Sequence, residues 1–274
     1  MTNQLVPSLY IFTALECEAK ALIIYFDLKK DISSKAFSIY KNSDIILTVT
    51  GVGKVAMAGG VTHTLALFPT RQLPIMLNIG IAGHKTQKIG TLYSAVKVTD
   101  TDSGKTFYPQ MVNHKWAELG EIKTLSKPCE QYSLEFLNDM EAAAFYEMAV
   151  KYSSSELIHC LKVISDNEQS SIKEINAKIV VQWISEQVDG IETVLVDLRK
   201  RRSTFHQVAS DVFEQLIKQW HFTVSGKVKL KSLLMRWELL STENWLQKNP
   251  QEFISGKSIL TKLESDIDAL DIHL

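Results

Sequence analysis

The chain has 274 residues, of which 45% are hydrophobic and 22% charged, a composition typical of folded globular proteins and not of disordered ones. Its formal net charge of −1 provides no overall attraction to nucleic acid or to an acidic membrane surface. No apolar run approaches the roughly 20 residues of a membrane-spanning helix, so we expect neither a nucleic-acid nor a membrane partner.

Three separated cysteines, Cys17, Cys129 and Cys160, lack the CxxC spacing of a zinc site and do not suggest a disulfide framework. The four histidines that we considered have no metal-ligand spacing: His63, His84, His114 and His159. The first apolar run is short and ends at Glu16, with no basic segment before it, which is not typical of a secretory signal. We therefore expect a cytoplasmic protein without a metal or a cofactor.

Short apolar runs alternate with helical segments along the first 200 residues. In chain order, the pattern predicts strand 9–15, helix 18–25, strand 44–50, helix 55–67, strands 74–79 and 91–99, helix 141–152, strand 157–164, and helix 172–198 with a bend near 189–190. Glycine follows several of the strands. This alternation predicts an α/β fold with a largely parallel sheet.

The sequence changes character after the basic run 199–202. Residues 203–274 have helical periodicity interrupted by Ser-Gly and Asn-Pro steps. We place a domain boundary near residue 200, which gives a domain 1–200 and a helical C-terminal extension 201–274 of unknown role. Tryptophans in the extension are expected to pack against a core or a second copy of the chain.

Two glycine turns and four acids are the candidates for chemistry. The turns, Gly51-Val52-Gly53-Lys54 and Gly80-Ile81-Ala82-Gly83, follow strands, so their backbone N–H groups either face a polar ligand or only close a tight turn. Glu141 has apolar neighbours and needs a hydrogen-bond donor such as a ligand hydroxyl. Asp166 ends a strand and has the alternative role of a helix cap. Of Glu16 and Glu18, at most one is expected to enter a cleft.

Five segments in this order resemble the 5′-methylthioadenosine/S-adenosylhomocysteine nucleosidases and their nucleoside phosphorylase relatives. They lie within residues 8–200 and are 13–18 (TALECE), 50–56 (TGVGKVA), 78–83 (NIGIAG), 139–142 (DMEA) and 164–166 (ISD). The resemblance implies a phosphorylase/hydrolase-like three-layer α/β/α fold with a mixed, largely parallel central sheet, here followed by the helical extension. It also implies a homodimer or larger homo-oligomer and a nucleoside substrate.

The resemblance implies roles for eight residues. As catalytic residues it implies Glu18, which activates water, and Asp166, which protonates the purine at N7. The substrate-binding residues that it implies are Met140 under the sugar, Glu141 on the ribose hydroxyls, Ser165 beside Asp166, and Gly83, Ile81 and Lys162.

The sequence departs from the family pattern at three of the matching positions. Ile81 replaces a serine, Lys162 replaces an arginine, and Asn78 stands where many phosphorylases have an arginine that binds phosphate. Arg71 is the only arginine before Arg199, so the sequence favours hydrolysis over phosphorolysis.

Three functions therefore stay open. The first is a nucleosidase acting on a purine nucleoside or a 5′-modified adenosine. The alternatives are a phosphorylase of the same fold, or a non-catalytic nucleoside-binding or regulatory protein that uses the C-terminal helices for interaction. Segment 120–139 is short for the base-binding loop of the family, and Phe107 or Tyr108 is a candidate for stacking on the base instead.

Overall fold

A computed structural model describes residues 7–70, 73–110, 116–128, 132–204, 209–241, 243–249 and 253–270. The chain divides into two compact units, Met1–Arg201 and Arg202–Leu274. Within the described ranges, no helix is both long and apolar enough to cross a membrane. Arg71, His114 and Cys129 lie outside the described residues.

The first unit contains a ten-stranded mixed sheet with helices packed on it. Its strands are β1 (Leu9–Thr13), β2 (Lys29–Asp31), β3 (Ser38–Lys41), β4 (Ile45–Val49), β5 (Ile75–Gly83), β6 (Leu92–Asp100), β7 (Thr106–Phe107), β8 (Glu118–Thr124), β9 (Phe136–Asp139) and β10 (Ile158–Asp166). Its α-helices are α1 (Glu16–Tyr25), α2 (Lys54–Leu67), α3 (Ala142–Ala149), α4 (Ala177–Glu186) and α5 (Val188–Thr204), the last of which runs past the unit boundary.

The sheet closes on itself over part of its width. The strand order is β10-β6-β8-β9-β5-β1-β4-β3-β2, and β10 also pairs with β5, so that β5, β10, β6, β8 and β9 form a ring. The predicted three-layer α/β/α arrangement is therefore wrong where the sheet closes, while the mixed character of the sheet is as predicted. Register shifts between Ala95 and Lys97 in β6 and between Ile164 and Asp166 in β10 provide the bends that such a closure requires.

The buried centre of the sheet brings the ends of four strands together. Strands β1, β4 and β10 are buried along their whole length, and each buried Leu, Ile or Val side chain contributes about 1.5–3 kcal/mol to folding. β1 is parallel to β4 and β5, and β5 is parallel to β10. Because carboxyl ends of parallel strands meet at one edge of a sheet, the residues after these four strands lie near one another.

The second unit is helical and has its own apolar core. Its described helices are α6 (Ala209–Gln219), α7 (Val224–Leu240), α8 (Trp245–Lys248) and α9 (Gly256–Asp268). Trp237 and Trp245 are buried in this core, and their indole N–H groups donate to the Glu243 carbonyl (2.7 Å) and to Asp266 Oδ2 (2.8 Å). These two tryptophans therefore stabilise the unit itself.

Candidate active site

A cavity of about 290 Å³ lies at the edge where the parallel strands end, and most of its lining is apolar. Seven of the eight residues singled out from the sequence line it: Glu18, Ile81, Gly83, Met140, Glu141, Ser165 and Asp166. The acids come from different elements, since Glu18 belongs to α1, Glu141 precedes α3 and Asp166 ends β10. The fold thus brings residues that are far apart in the chain together in one site.

Glu18 is held by three backbone N–H groups. Its Oε2 accepts hydrogen bonds from Ala14 N (2.8 Å) and Leu15 N (2.9 Å), and its Oε1 accepts one from Ile81 N (3.0 Å). The side chain is only 3% exposed, and this burial raises the pKa of Glu18 against the opposing effect of the Lys162 charge. A Cβ on Gly80 would lie 2.8 Å from Oε1, so the glycine makes room for the carboxyl group.

Glu141 is attached to the first glycine turn. Its Oε1 accepts a 2.7 Å hydrogen bond from Gly53 N, and the residue lines the cavity. Gly53 has a φ of 97°, a conformation that glycine adopts without strain. Burial raises the pKa of Glu141 to about 7, with Lys162 acting against and Asp139 adding to the shift. At Gly53, therefore, the turn binds a carboxylate of the protein itself.

Lys162 lies beneath the cavity and does not open onto it. Its side chain is 1% exposed, and its Nζ is 3.0 Å from Oδ2 of the equally buried Asp139. Burial by itself would lower the pKa of Lys162, but the carboxylates of Asp139, Glu141 and Glu18 outweigh burial and raise it. A permanent positive charge thus lies under the acids of the site.

Asp139 was part of a matched motif but had no role assigned from the sequence. Its Oδ1 accepts from Thr124 Oγ1 (2.7 Å), and its Oδ2 accepts from the backbone N–H groups of Glu141 (3.2 Å) and Ala142 (2.7 Å). It therefore joins the first turn of α3 to β8 and to Lys162. This arrangement fixes the backbone from which Glu141 projects.

Asp166 is hydrogen-bonded on both carboxyl oxygens. Ser165 Oγ donates to Oδ1 and also lies 3.3 Å from the Ala82 carbonyl, while the Tyr132 hydroxyl donates to Oδ2 at 2.7 Å. The turn after β10 is stabilised by Asn167, whose Oδ1 accepts from Gln169 N and Ser170 N. The alternative that Asp166 is a helix cap is therefore wrong.

Tyr132, which contacts Asp166 without being among the described residues that line the cavity, was also missed by sequence reasoning. It belongs to the segment 120–139 that looked short for a base-binding loop, and an aromatic residue there was the available signal. Phe107, the stacking candidate, packs instead on Tyr146 with ring centroids 5.2 Å apart, and the side chain of Tyr108 is 69% exposed. Neither of them is among the described residues that line the cavity.

The remaining candidates lie elsewhere. Glu16 points away from Glu18 and accepts a 3.1 Å hydrogen bond from the Tyr40 hydroxyl. Asn78 is 1% exposed, and its side-chain amide donates to the Phe12 carbonyl at 3.1 Å. Among the described residues, no group of His, Cys, Asp and Glu side chains is arranged to hold a metal ion.

Comparisons with known proteins agree with this geometry at the level of the fold. No protein-family model matches the sequence, and no curated protein matches it. Solved structures, in contrast, do match the chain. A 5′-methylthioadenosine/S-adenosylhomocysteine nucleosidase from Helicobacter pylori aligns with a TM-score of 0.56 at 14% identity, over 70% of this chain and 99% of that one. The chain has a nucleosidase fold.

Two further structures with this fold differ in the substrate that their names give. Futalosine hydrolase of Helicobacter pylori aligns with a TM-score of 0.56 at 14% identity, over 70% of this chain and 98% of that one. An S-adenosylhomocysteine nucleosidase from Streptococcus pyogenes aligns with a TM-score of 0.54 at 19% identity, over the same shares. One nucleosidase fold thus serves nucleosides with different substituents, and the fold leaves the substrate of this chain open.

Proposed function

We propose that the chain is a nucleosidase that hydrolyses the N-glycosidic bond of a purine nucleoside or a 5′-modified adenosine. One observation carries the proposal, namely that Glu18, Glu141 and Asp166 line one mostly apolar cavity. Loss of a purine needs an acid that protonates the base and negative charge that stabilises the ribosyl cation. Three carboxyl groups around a sugar-sized cavity supply both requirements.

The sugar is bound on the side of Glu141 and Met140. Gly53 donates one hydrogen bond to Oε1 of Glu141, so the carboxylate keeps acceptor capacity for the ribose hydroxyls. Met140 lines the same wall and packs beneath the ring. Because Lys162 lies under the acids, it acts through Glu18 and Glu141 without touching the substrate.

Bond cleavage uses Asp166 and Glu18 in sequence. Asp166 passes its proton to the base nitrogen while the C1′–N bond breaks and its electron pair goes to the base. Water then attacks C1′ and gives a proton to Glu18. The raised pKa of Glu18 makes it a stronger base than an exposed glutamate.

Hydrolysis is favoured over phosphorolysis because the cavity offers little positive charge. Among the described lining residues, Lys127 is the only cation. Asn78 is buried against β1, and Ile81 has no hydroxyl group to bind a phosphate oxygen. Among the described lining residues, a phosphate dianion would therefore meet four acidic residues (Glu18, Asp139, Glu141 and Asp166) and one lysine.

The direct test is release of free base. We expect the full-length protein to release adenine from 5′-methylthioadenosine or S-adenosylhomocysteine at the same rate with and without phosphate, as followed by chromatography. Inosine and 5′-deoxyadenosine tested in parallel define the base and the 5′ substituent. Release that strictly requires phosphate would instead establish a phosphorylase. Binding without release from any of the four nucleosides would establish a non-catalytic protein.

Nucleoside binding is expected to weaken below neutral pH. Because the pKa of Glu141 is raised to about 7, its carboxylate takes up a proton as the pH falls below that value and then no longer accepts both ribose hydroxyls. The dissociation constant is expected to rise about tenfold per pH unit below pH 7. Calorimetric titration of the Asp166→Asn variant with 5′-methylthioadenosine measures binding without turnover.

A matched pair of variants assigns this pH dependence. Glu141→Gln has no titratable group at this position. The affinity of this variant for the nucleoside is expected to be low and almost constant from about pH 5.5 to about 7.5, a range that spans the raised pKa of Glu141. Glu18→Gln keeps Glu141 and is expected to keep the slope, with the weakening of binding displaced to lower pH because the Glu18 charge contributes to the raised pKa of Glu141. A slope that survives in Glu141→Gln contradicts the assignment.

The proposal places the activity in the unit Met1–Arg201 and gives no chemical role to Arg202–Leu274. A homodimer or larger assembly is part of the same proposal. Sedimentation of the full chain and of the first unit tests whether the helical unit sets the assembly.

A further inference from the structure

Asp166 has a second hydrogen-bond partner, Tyr132, to which the proposed chemistry gives no role. Tyr132 donates its hydroxyl hydrogen to Oδ2 at 2.7 Å, while Ser165 donates to Oδ1. A carboxyl group held on only one oxygen can still rotate about its last bond. With a donor on each oxygen, its plane is fixed relative to the cavity.

The contact is built into the fold at Gly83. A Cβ at Gly83 would lie 2.6 Å from Asp166 Oδ2 and 2.8 Å from Tyr132 Cε1. The aromatic ring and the carboxyl group thus meet directly over this glycine, at the last residue of β5. The absence of a side chain at Gly83 is a condition for the Tyr132–Asp166 hydrogen bond.

A carboxyl oxygen can accept two hydrogen bonds, so Tyr132 leaves the other lone pair of Oδ2 for a proton. Tyr132 itself is half-buried, so its hydroxyl competes less with water than an exposed one would. Together with Ser165 on Oδ1, the hydroxyl therefore fixes how Oδ2 of Asp166 is oriented.

We propose that Tyr132 is a positioning residue for protonation of the leaving base: it holds Oδ2 of Asp166 so that the transferable proton faces the base. This inference rests on the proposed nucleosidase function. It concerns the leaving group alone and makes no claim about sugar binding or the attacking water.

The test compares two leaving groups in Tyr132→Phe, which lacks only the hydroxyl. Adenine needs a proton in order to leave 5′-methylthioadenosine, whereas nitrophenolate leaves a p-nitrophenyl riboside as a stable anion. We expect Tyr132→Phe to lower kcat for adenine release by about 10- to 100-fold, part of the effect of a general acid. Nitrophenolate release is expected to stay within about twofold of wild type.

Two further variants serve as references. Tyr25→Phe removes the hydroxyl of a half-exposed tyrosine that packs edge-on against Phe26, and it is expected to change neither rate. Gly83→Ala pushes Tyr132 and Asp166 apart without removing either group, and it is expected to lower adenine release more than nitrophenolate release. Circular dichroism melting curves check that each variant is folded.

The outcomes are separable. Equal losses for both leaving groups in Tyr132→Phe would show that the tyrosine only supports the structure, and no loss would show that it is not needed. Either result overturns the inference and leaves the nucleosidase proposal standing. A wild-type protein that releases neither leaving group overturns the proposed function, and the inference with it.

Discussion

Asp166→Asn is expected to lower kcat for release of a purine base by about 10²- to 10⁴-fold, the usual contribution of a general acid. Asparagine keeps the shape of the side chain but has no proton to give to the departing base. Binding of the nucleoside is expected to stay within about threefold of wild type, because the sugar contacts of Glu141 are untouched. Single-turnover base release and calorimetric binding measure the two quantities separately.

Asp166→Asn is expected to leave the hydrogen bonds of this side chain satisfied, because both of its partners are hydroxyl groups. Ser165 and Tyr132 donate to the carboxylate, yet a hydroxyl can also accept, so either one can rotate to meet the new amide N–H. Asp27→Asn is a matched control, since the exposed carboxylate of Asp27 is paired only with Lys29 among the described side-chain hydrogen bonds. A loss of base release below threefold would contradict the assignment of Asp166 as the acid.

Glu18→Gln would be a less specific probe of catalysis. The three donors to Glu18 are backbone N–H groups from Ala14, Leu15 and Ile81, and these cannot reverse their polarity. A glutamine amide would face at least one of them donor to donor. Its effect on rate would combine lost basicity with local strain. Asp166→Asn is therefore the more specific of the two probes, because the partners of Asp166 can reverse their polarity and those of Glu18 cannot.

The long apolar runs could be read from the sequence because burial on both faces of a sheet leaves a continuous signal. The structure confirms the strands predicted at 9–15, 44–50, 74–79, 91–99 and 157–164, with ends shifted by a few residues. β8 and β9 could not be predicted. β8 contains Glu118, Glu121 and Lys123 among few apolar residues, and β9 has only four residues.

The closed ring was not expected because β8 and β9 were not predicted. β8 and β9 connect β6 to β5, and without them the predicted sheet has two free edges. The same gap hid Tyr132, which lies just before β9 and meets Asp166 only because β5, β9 and β10 converge. Long-range pairing of polar strands leaves no local periodicity to read.

Part of the candidate site could be predicted because its residues follow apolar segments. Glu141 and Asp166 each stand next to an apolar run that indicates a buried segment, so their placement in the core could be predicted. The pairing of Lys162 with Asp139 does not follow from spacing, because a lysine inside an apolar strand gives no sign of its partner. Only the meeting of β10 with the start of α3 defines that ion pair.

Lys162→Met is expected to destabilise the first unit by about 3–5 kcal/mol at pH 8, the usual cost of leaving a buried charge without its partner. Methionine nearly matches the length of the lysine stem, so the cavity effect is small. What is lost is the counter-charge of Asp139, 3.0 Å away, and the attraction of Glu18 and Glu141. Hydrogen exchange of the slowest β5 and β10 amides measures the unfolding free energy of this unit alone.

The pH dependence of this loss has a definite sign. Without Lys162, the pKa values of Glu18 and Glu141 rise further, so the folded variant takes up protons more readily than the unfolded chain does. Its stability deficit relative to wild type is therefore largest above pH 7, the value to which the pKa of Glu141 is already raised, and shrinks as the pH falls. Adding Asp139→Asn to Lys162→Met removes one unpaired charge and is expected to restore part of the lost stability.

The exposed pair Lys97–Glu121 provides the matched control. Its atoms are also 3.0 Å apart, but the side chains are 35% and 44% exposed, so water screens the charges. Lys97→Met is expected to change stability little, with little dependence on pH. If Lys162→Met cost no more than Lys97→Met, the buried lysine would be dispensable for holding Glu18 and Glu141 in the ionised state that the proposed chemistry requires.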